Sequence, residues 1–246
     1  MVPLMMAFET RAPTDSRAFI FDVDGVLLAS PHERAWREAL DGLADPDRFT
    51  TALYQAHVAG KPRLDGARAA LSALGLPDVQ GLAGAYADAK QHCLDRIIAA
   101  EGVTAFPDAL RFVRVLAERG WPMAAASSSK NAERMMRMVP LREDRTLLDA
   151  FAARVCGRAL RHGKPDPEIF LLAAAELGVE PARCFVAEDA PAGIRAARAG
   201  RMTAIGIARL GDAAGLWAAG ADRVVASFDE IRIADLALDR PSGDAS

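Results

Sequence analysis

The sequence is poor in cysteine, and this shortage excludes two classes of protein. Its 246 residues include only Cys93, Cys156 and Cys184, with no Cys-x-x-Cys spacing, so neither a disulfide framework nor a zinc site is indicated. No apolar run is long enough for a transmembrane helix or a signal peptide. We therefore expect a cytoplasmic protein with reduced thiols and no membrane partner.

The sequence also lacks an excess of charge of either sign. The 30 basic and 33 acidic residues leave a formal net charge of -3, whereas nucleic-acid binding usually needs a basic face, so we expect no nucleic-acid partner. The nearest basic cluster, Arg154, Arg158 and Arg161, is interpreted as a solvated face. The two ends, residues 1–16 and 239–246, are expected to be flexible.

Short apolar runs alternate with helical patterns along most of the chain, as is typical of a parallel sheet covered by helices on both faces. The predicted strands are residues 18–21, 122–126, 184–187, 203–207 and 223–226. The predicted helices between them include residues 109–118, 167–177 and 190–199. The fold class that follows is α/β, with a Rossmann-like parallel-sheet core.

Residues 32–103 interrupt this alternation because they contain no convincing strand. Helical patterns occupy residues 34–40, 47–58, 63–74 and 82–99. We therefore predict a catalytic core formed by residues 17–31 and 104–238, with an inserted all-helical cap at residues 32–103. A cap inserted after the first strand would face the strand ends and could close over them.

Polar side chains follow three of the predicted strands, at the edge of the sheet where such folds bind ligands. Asp22 and Asp24 follow the first strand, Ser127 the second, and Glu188 and Asp189 the third. Carboxylates crowded together repel one another unless cations lie among them. Mg²⁺ together with the ammonium of Lys164 would supply that charge.

The same residues suggest phosphoryl transfer. Asp22 could attack phosphorus and form an aspartyl phosphate, while Asp24 acts as general acid and base and Ser127 binds a phosphoryl oxygen. Each residue has a structural alternative: a plain turn for Asp22 and Asp24, helix caps for Ser127, Glu188 and Asp189, and an exposed loop for Lys164. Their occurrence together in this order favours catalysis.

These motifs resemble those of the haloacid dehalogenase superfamily over nearly all of the chain. The matching residues are Phe21-Asp22-Val23-Asp24-Gly25-Val26-Leu27, Ser127, Lys164 and Glu188-Asp189-Ala190-Pro191. The resemblance implies that Asp22, the backbone carbonyl of Asp24 and Asp189 hold Mg²⁺, with Glu188 at or near the metal. Members that cleave carbon–halogen or phosphonate bonds lack the second aspartate, so Asp24 favours phosphate-ester chemistry.

A second anion site is predicted further along the chain. Ser129, Lys130 and Asn131 occupy a strand-to-helix turn, and Gly60 and Arg63 belong to an interhelical turn of the cap. An exposed capping turn is the alternative for Gly60 and Arg63. Lys90, considered alone, is interpreted as a surface lysine.

These residues resemble the β-phosphoglucomutase branch of the superfamily. The resemblance implies that Arg63, Ser129, Lys130 and Asn131 bind a distal phosphate, that Lys90 contacts the sugar or helps to close the cap, and that His32 assists Asp24. The connection from Asp24 to His32 is shorter than in that branch, and Ala29 stands where many members carry an aspartate.

The predicted function is therefore phosphoryl transfer on a small sugar phosphate, by an architecture that can work as a monomer; the sequence does not give the oligomeric state. In the mutase interpretation, the enzyme converts β-glucose 1-phosphate to glucose 6-phosphate with glucose 1,6-bisphosphate as an activator. The alternative is a phosphatase acting on a sugar or polyol phosphate. A catalytically inactive binding module is a third hypothesis, disfavoured because the acids and Lys164 are all present.

Overall fold

The computed structural model describes residues 17–211 and 213–238. The terminal segments expected to be flexible, 1–16 and 239–246, lie outside the described residues. Within the described part of the chain, no helix combines the length and the apolar character needed to span a membrane.

The chain begins in the sheet, passes through a run of helices and then returns to the sheet. Strand β1 spans Ala18–Phe21. The helical run contains α1 (His32–Glu38), a 3-10 turn (Pro46–Arg48), α2 (Thr51–Leu53), a π-helix (Tyr54–Val58), α3 (Arg63–Ala73) and α4 (Val79–Glu101). The remaining elements are α5 (Pro107–Glu118), β2 (Met123–Ser127), α6 (Ala132–Arg137), β3 (Pro140–Arg142), β4 (Arg145–Thr146), β5 (Ala153–Cys156), α7 (Glu168–Leu177), β6 (Cys184–Glu188), α8 (Pro191–Ala199), β7 (Thr203–Ile207), α9 (Ala213–Ala218), β8 (Arg223–Val225) and α10 (Ile233–Leu238).

The main sheet has six strands in the order β5-β2-β1-β6-β7-β8, and every pairing in it is parallel. The predicted α/β class, with a Rossmann-like sheet and an inserted helical cap, is confirmed. The domain boundaries at residues 31/32 and 103/104 stay predictions. Because β1 lies between β2 and β6, the residues that follow these three strands meet at one edge of the sheet.

Alternation along β1 explains how the sheet packs on both faces. Phe19 and Phe21 join one buried apolar cluster, while Ala18 and Ile20 join another. The first cluster also receives side chains from α5, α6 and α10, and the second from α7, α8 and α9. The strand ends are therefore held rigidly from both sides, which fixes the positions of the polar residues that follow them.

The cap has an apolar core of its own, separate from those of the sheet. Trp36, Leu71 and Tyr86 are buried in it, and the Tyr86 hydroxyl donates a hydrogen bond to the Trp36 carbonyl at 2.9 Å. The prediction of one helix over residues 47–58 is wrong in detail. Thr50 caps a new helical start there, and the chain forms a 3-10 turn, a single α-turn and a π-helix in succession.

The sequence analysis also missed strand β5 and the β3–β4 hairpin. The hairpin lies in the charged segment 140–150. Leu141, Leu147 and Leu148 of that segment are buried in the cluster beneath β1. The segment therefore contributes to the core.

Candidate active site

Three strand ends bring the central acids and Lys164 together. Asp22 follows β1 and lies beside the last residues of β2 and β6, Ser127 and Glu188, and all three side chains are buried. Lys164 reaches the same point from the loop before α7. Its ammonium donates a hydrogen bond of 2.6 Å to Asp22 Oδ1 and another to Glu188 Oε1.

This buried group carries more negative than positive charge. Burial, followed by the charges of Glu188 and Asp24, raises the pKa of Asp22 to about 8 even though Lys164 lowers it. The two carboxylates in turn raise the pKa of Lys164 above its usual value, against the opposing effect of burial. Lys164 is therefore a permanent cation, and Asp22 is an acid whose ionisation needs further positive charge.

Asp24 has a different environment from that of Asp22. Ser127 Oγ donates a hydrogen bond of 3.2 Å to Asp24 Oδ2. Burial would raise the pKa of Asp24, but interactions with His32 and a hydrogen bond from Ser30 lower it to about 2. Asp24 is consequently ionised in the substrate-free protein while its neighbour Asp22 resists ionisation, so the two aspartates are chemically distinct.

His32 links Asp24 to the cap. Its Nε2 lies 3.2 Å from Asp24 Oδ1, which is itself buried without a hydrogen bond from the described residues, and 3.2 Å from Ser129 Oγ. Lys90 Nζ lies 2.8 Å from His32 Nδ1. Because an ammonium only donates, Nδ1 accepts and Nε2 carries the proton, which it donates to Ser129 Oγ with Asp24 Oδ1 equally close.

The interpretation of Lys90 as a surface lysine is wrong. Its side chain is only 4% exposed, and its ammonium also lies 5.2 Å from the centre of the Trp36 ring. Burial lowers the pKa of Lys90 to about 8, although the charge of Asp24 opposes the shift. Lys90 is thus a buried cation on α4 that contacts the catalytic edge through His32.

Some of the acidic side chains at this edge could serve as ligands of a divalent cation. Burial and the charges of Glu188 and Asp22 raise the pKa of Asp189 well above its usual range, and no described residue donates a hydrogen bond to its carboxylate. Asp22, Asp24 and Asp189 line the cavity, but Ser127 donates a hydrogen bond to Asp24, and Glu188 contacts Lys164 and the Ala190 N–H. The pKa values of Asp22 and Asp189 are both raised, so a hard cation such as Mg²⁺ bound by these two carboxylates would stabilise their ionised forms.

Gly25 makes room for Asp189. Its φ is +83°, and a Cβ at this position would lie 2.0 Å from Asp189 Oδ2. Any side chain here would push the carboxylate away, so the Asp-x-Asp-Gly turn shapes the space beside Asp22 as well as bending the backbone.

All five residues predicted to bind a second anion line the cavity. Asn131 and Gln91 exchange two hydrogen bonds, at 3.0 and 3.2 Å, and Arg63 donates to the same Gln91 Oε1 at 2.9 Å. Lys130 is exposed and has no carboxylate partner among the described residues. The Ser129 hydroxyl accepts a hydrogen bond from the Asn131 backbone N–H.

The cap and the sheet edge enclose one cavity of about 410 Å³. Ser128 Oγ donates a hydrogen bond of 2.9 Å to the carbonyl of Gly60, and a Cβ on Gly163 would lie 2.8 Å from Pro62. The predicted residues on its wall are Asp22, Asp24, His32, Gly60, Arg63, Lys90, Ser127, Ser129, Lys130, Asn131 and Asp189. Lys164 and Glu188 are buried directly beside Asp22.

The wall also contains residues that the sequence analysis did not select. They include Tyr54 and Gln91, which carried no motif signal, and Lys61, whose neighbour Arg63 could have indicated it. Arg158 and Arg161, interpreted as a solvated face, line the same cavity. Arg158 is paired with Glu176, whereas Arg161 has no partner among the described residues.

Comparisons with known proteins agree with this architecture. The model of the haloacid dehalogenase-like hydrolase family matches residues 16–201. A β-phosphoglucomutase of Mycobacterium bovis is 35% identical, with 89% of this chain and 92% of that protein aligned. A fructose-1-phosphate phosphatase of Escherichia coli strain K12 is 33% identical, with 76% of this chain and 94% of that protein aligned.

A solved structure extends the similarity to three dimensions. The archaeal β-phosphoglucomutase of the hyper-thermophilic Pyrococcus sp. strain ST 04 has a TM-score of 0.68 and 30% identity, and the match covers 89% of this chain and 96% of that one. The family model matches most of the chain, including all the residues of the catalytic edge. The chain therefore belongs to the haloacid dehalogenase-like hydrolases, and it is an enzyme of their phosphotransferase or phosphatase type.

Proposed function

We propose that the enzyme is a magnesium-dependent phosphomutase that converts β-glucose 1-phosphate to glucose 6-phosphate. The observation that carries the proposal is a cavity lined by two groups of residues of different chemistry. One group consists of the buried acids with Lys164, and the other of the cations Arg63 and Lys130 with the amides of Gln91 and Asn131. A sugar bisphosphate has one phosphate for each group.

Asp22 is the nucleophile in this proposal. Its Oδ1 is held at 2.6 Å by Lys164, which fixes the carboxylate in place and remains a cation throughout the reaction. Attack of Asp22 on phosphorus forms an aspartyl phosphate and releases the sugar oxygen. Mg²⁺ bound by Asp22, Asp189 and the main-chain carbonyl of Asp24 would neutralise charge on the phosphoryl group.

Asp24 moves the proton. In the substrate-free protein its low pKa makes it a base, ready to accept the proton of a sugar hydroxyl that attacks the aspartyl phosphate. The acid half of the cycle needs the opposite state, in which Asp24 gives a proton to the departing sugar oxygen. His32 and Ser127, which contact its two oxygens, are placed to control which state is present.

The distal end would hold the phosphate that is not reacting. The guanidinium of Arg63 is about two-fifths exposed, and its nearest carboxylate, Asp88, is 3.9 Å away. Its contact with Gln91, which in turn bonds Asn131, joins the cap to the sheet edge. An anion bound here would favour the closed cap because it contacts residues on both sides.

Closure also distinguishes a mutase from a phosphatase. A mutase must keep water away from the aspartyl phosphate until a sugar hydroxyl arrives. The contacts of Gly60 with Ser128 and of Pro62 with Gly163 bring the cap against the sheet edge at the cavity. Glucose 1,6-bisphosphate is the proposed activator because it can phosphorylate Asp22 from either end.

The decisive assay supplies Mg²⁺, β-glucose 1-phosphate and a trace of glucose 1,6-bisphosphate, and follows glucose 6-phosphate and inorganic phosphate together. The proposal predicts glucose 6-phosphate with little free phosphate. Stoichiometric phosphate release would instead identify a sugar or polyol phosphatase, and the Escherichia coli relative is a fructose-1-phosphate phosphatase.

Arg63→Ala separates the same two functions in a second way. Loss of a bidentate phosphate contact should raise the KM of a mutase for the bisphosphate by roughly tenfold or more. A phosphatase that acts on a small monophosphate should respond weakly. The capacity to work as a monomer and a cytoplasmic location remain predictions from the sequence.

A further inference from the structure

We infer that Tyr54 is a substrate-binding residue that donates a hydrogen bond from the cap to the phosphoryl group at Asp22. The inference rests on the proposed phosphoryl-transfer function but not on the choice between mutase and phosphatase. Its basis is the position of Tyr54 on the wall of the cavity that Asp22, Asp24 and Asp189 also line.

The ring of Tyr54 is anchored in the cap. It packs against the cap core, with its centroid 6.2 Å from that of Phe49. Tyr54 is the first residue of the π-helix, and its carbonyl accepts the N–H of Ala59 at 2.9 Å, five residues ahead. A π-helical turn is uncommon and often marks a functional position, and here it begins at the tyrosine that reaches the cavity.

The hydroxyl has no hydrogen-bond partner within residues 17–211 and 213–238. The other tyrosine, Tyr86, is fully buried and donates its hydroxyl to the Trp36 carbonyl at 2.9 Å. A phenol hydroxyl on a cavity wall that has no protein partner is available to donate to a ligand in that cavity.

The surrounding charges define which ligand chemistry suits this donor. Burial and then the carboxylates of Asp189, Asp24 and Asp22 raise the pKa of Tyr54 well above its usual value, so the phenol stays protonated. A neutral O–H can approach these acids without repulsion and can donate to an anionic oxygen between them. Phosphoryl oxygens accept such bonds.

The contact would exist only when the cap is closed, because Tyr54 belongs to the cap and the acids belong to the sheet edge. Binding of a phosphoryl group would then favour closure, and closure would complete the set of donors around the group. Tyr54 therefore acts on the reacting end of the substrate, in contrast to Arg63 at the distal end.

Tyr54→Phe tests this because it removes only the hydroxyl and retains the ring that packs on Phe49. The matched control is Tyr86→Phe, which removes a buried hydrogen bond inside the cap. Inorganic phosphate is titrated calorimetrically into each protein with saturating Mg²⁺, and the thermal midpoint is measured in parallel.

We expect Tyr54→Phe to bind phosphate roughly tenfold more weakly or worse, with an unchanged thermal midpoint. Tyr86→Phe should lower the midpoint and leave phosphate affinity unchanged. If Tyr54→Phe binds phosphate with wild-type affinity, or loses stability without losing phosphate affinity, the inference about Tyr54 is wrong but the proposed function is not affected. Absence of Mg²⁺-dependent phosphate binding in the wild-type protein would contradict the proposed function as well.

Discussion

Replacement of Lys164 by methionine should destabilise the protein strongly in the absence of metal. The Lys164 side chain is fully buried, and its ammonium neutralises two acids, Asp22 and Glu188, whose side chains are almost fully buried as well. Methionine is similar in length, so the packing against the ring of Phe170 is largely retained. The variant therefore removes the charge with little change in volume.

The magnitude follows from the charges left behind. Removal of one partner of a buried ion pair usually costs about 3–5 kcal/mol, because the remaining charge is neither solvated nor paired. The pKa of Asp22 is raised from 3.8 to about 8 even with Lys164 present, and the variant loses the contact that lowers it. The folded state then holds a proton that the unfolded state releases, so stability falls as pH rises from about 4 through the folded pKa.

Urea unfolding in EDTA at pH 5, 7 and 9 measures this effect. We expect Lys164→Met to lose about 3–5 kcal/mol at pH 9 and less at pH 5, where protonation neutralises Asp22. Lys130→Met is the control, because Lys130 is exposed and has no carboxylate partner among the described residues. A loss below about 1 kcal/mol at pH 9, or a loss that does not depend on pH, would refute the assignment of Lys164 as the cation that neutralises these acids.

Two further substitutions test the geometry of the cavity. Gly25→Ala places a Cβ 2.0 Å from Asp189 Oδ2 at a φ of +83°, so the Mg²⁺ concentration for half-maximal activity should rise at least tenfold, as measured by Mg²⁺ titration. Gly84→Ala, whose Cβ meets nothing within 4 Å, is the control, and equal responses would contradict the role of Gly25. For Lys90, the pKa of about 8 means that the cation is lost as pH rises through that value, so the KM for a phosphorylated substrate should increase above pH 8. Lys90→Met should have a high KM that no longer changes in this range, and a pH profile like that of the wild-type protein would exclude Lys90 as the titrating group.

The fold and the catalytic edge could be predicted because their sequence signals are local. An apolar run such as residues 18–21 predicts a buried strand, and Asp22 follows it directly. The carboxyl ends of parallel strands meet at one edge of the sheet, so the sequence alone predicts that the polar residues following several strands lie close together. Strand β5 was missed because Arg154 lies within it and its side chains alternate between buried and half-buried.

The functional residues of the cap could not be predicted with the same accuracy, because their positions depend on packing between segments that are distant in the sequence. Nothing in the sequence around Lys90 distinguishes it from a surface lysine, and its burial depends on the distant partners His32 and Trp36. Tyr54 was overlooked for a similar reason. Its exposure to the cavity results from the break of the predicted helix 47–58 into a π-helical turn, which no residue pattern indicates.

The central claim of the account is that phosphoryl transfer passes through Asp22. The most direct test mixes the enzyme with Mg²⁺ and glucose 1,6-bisphosphate, quenches the reaction in acid within milliseconds, and measures the intact mass and the modified peptide. The account predicts one added phosphoryl group on the peptide containing Asp22, absent in Asp22→Asn and in wild-type enzyme treated with EDTA. A wild-type enzyme that turns over substrate with no phosphate on Asp22, or with the same phosphorylation in Asp22→Asn, would contradict it.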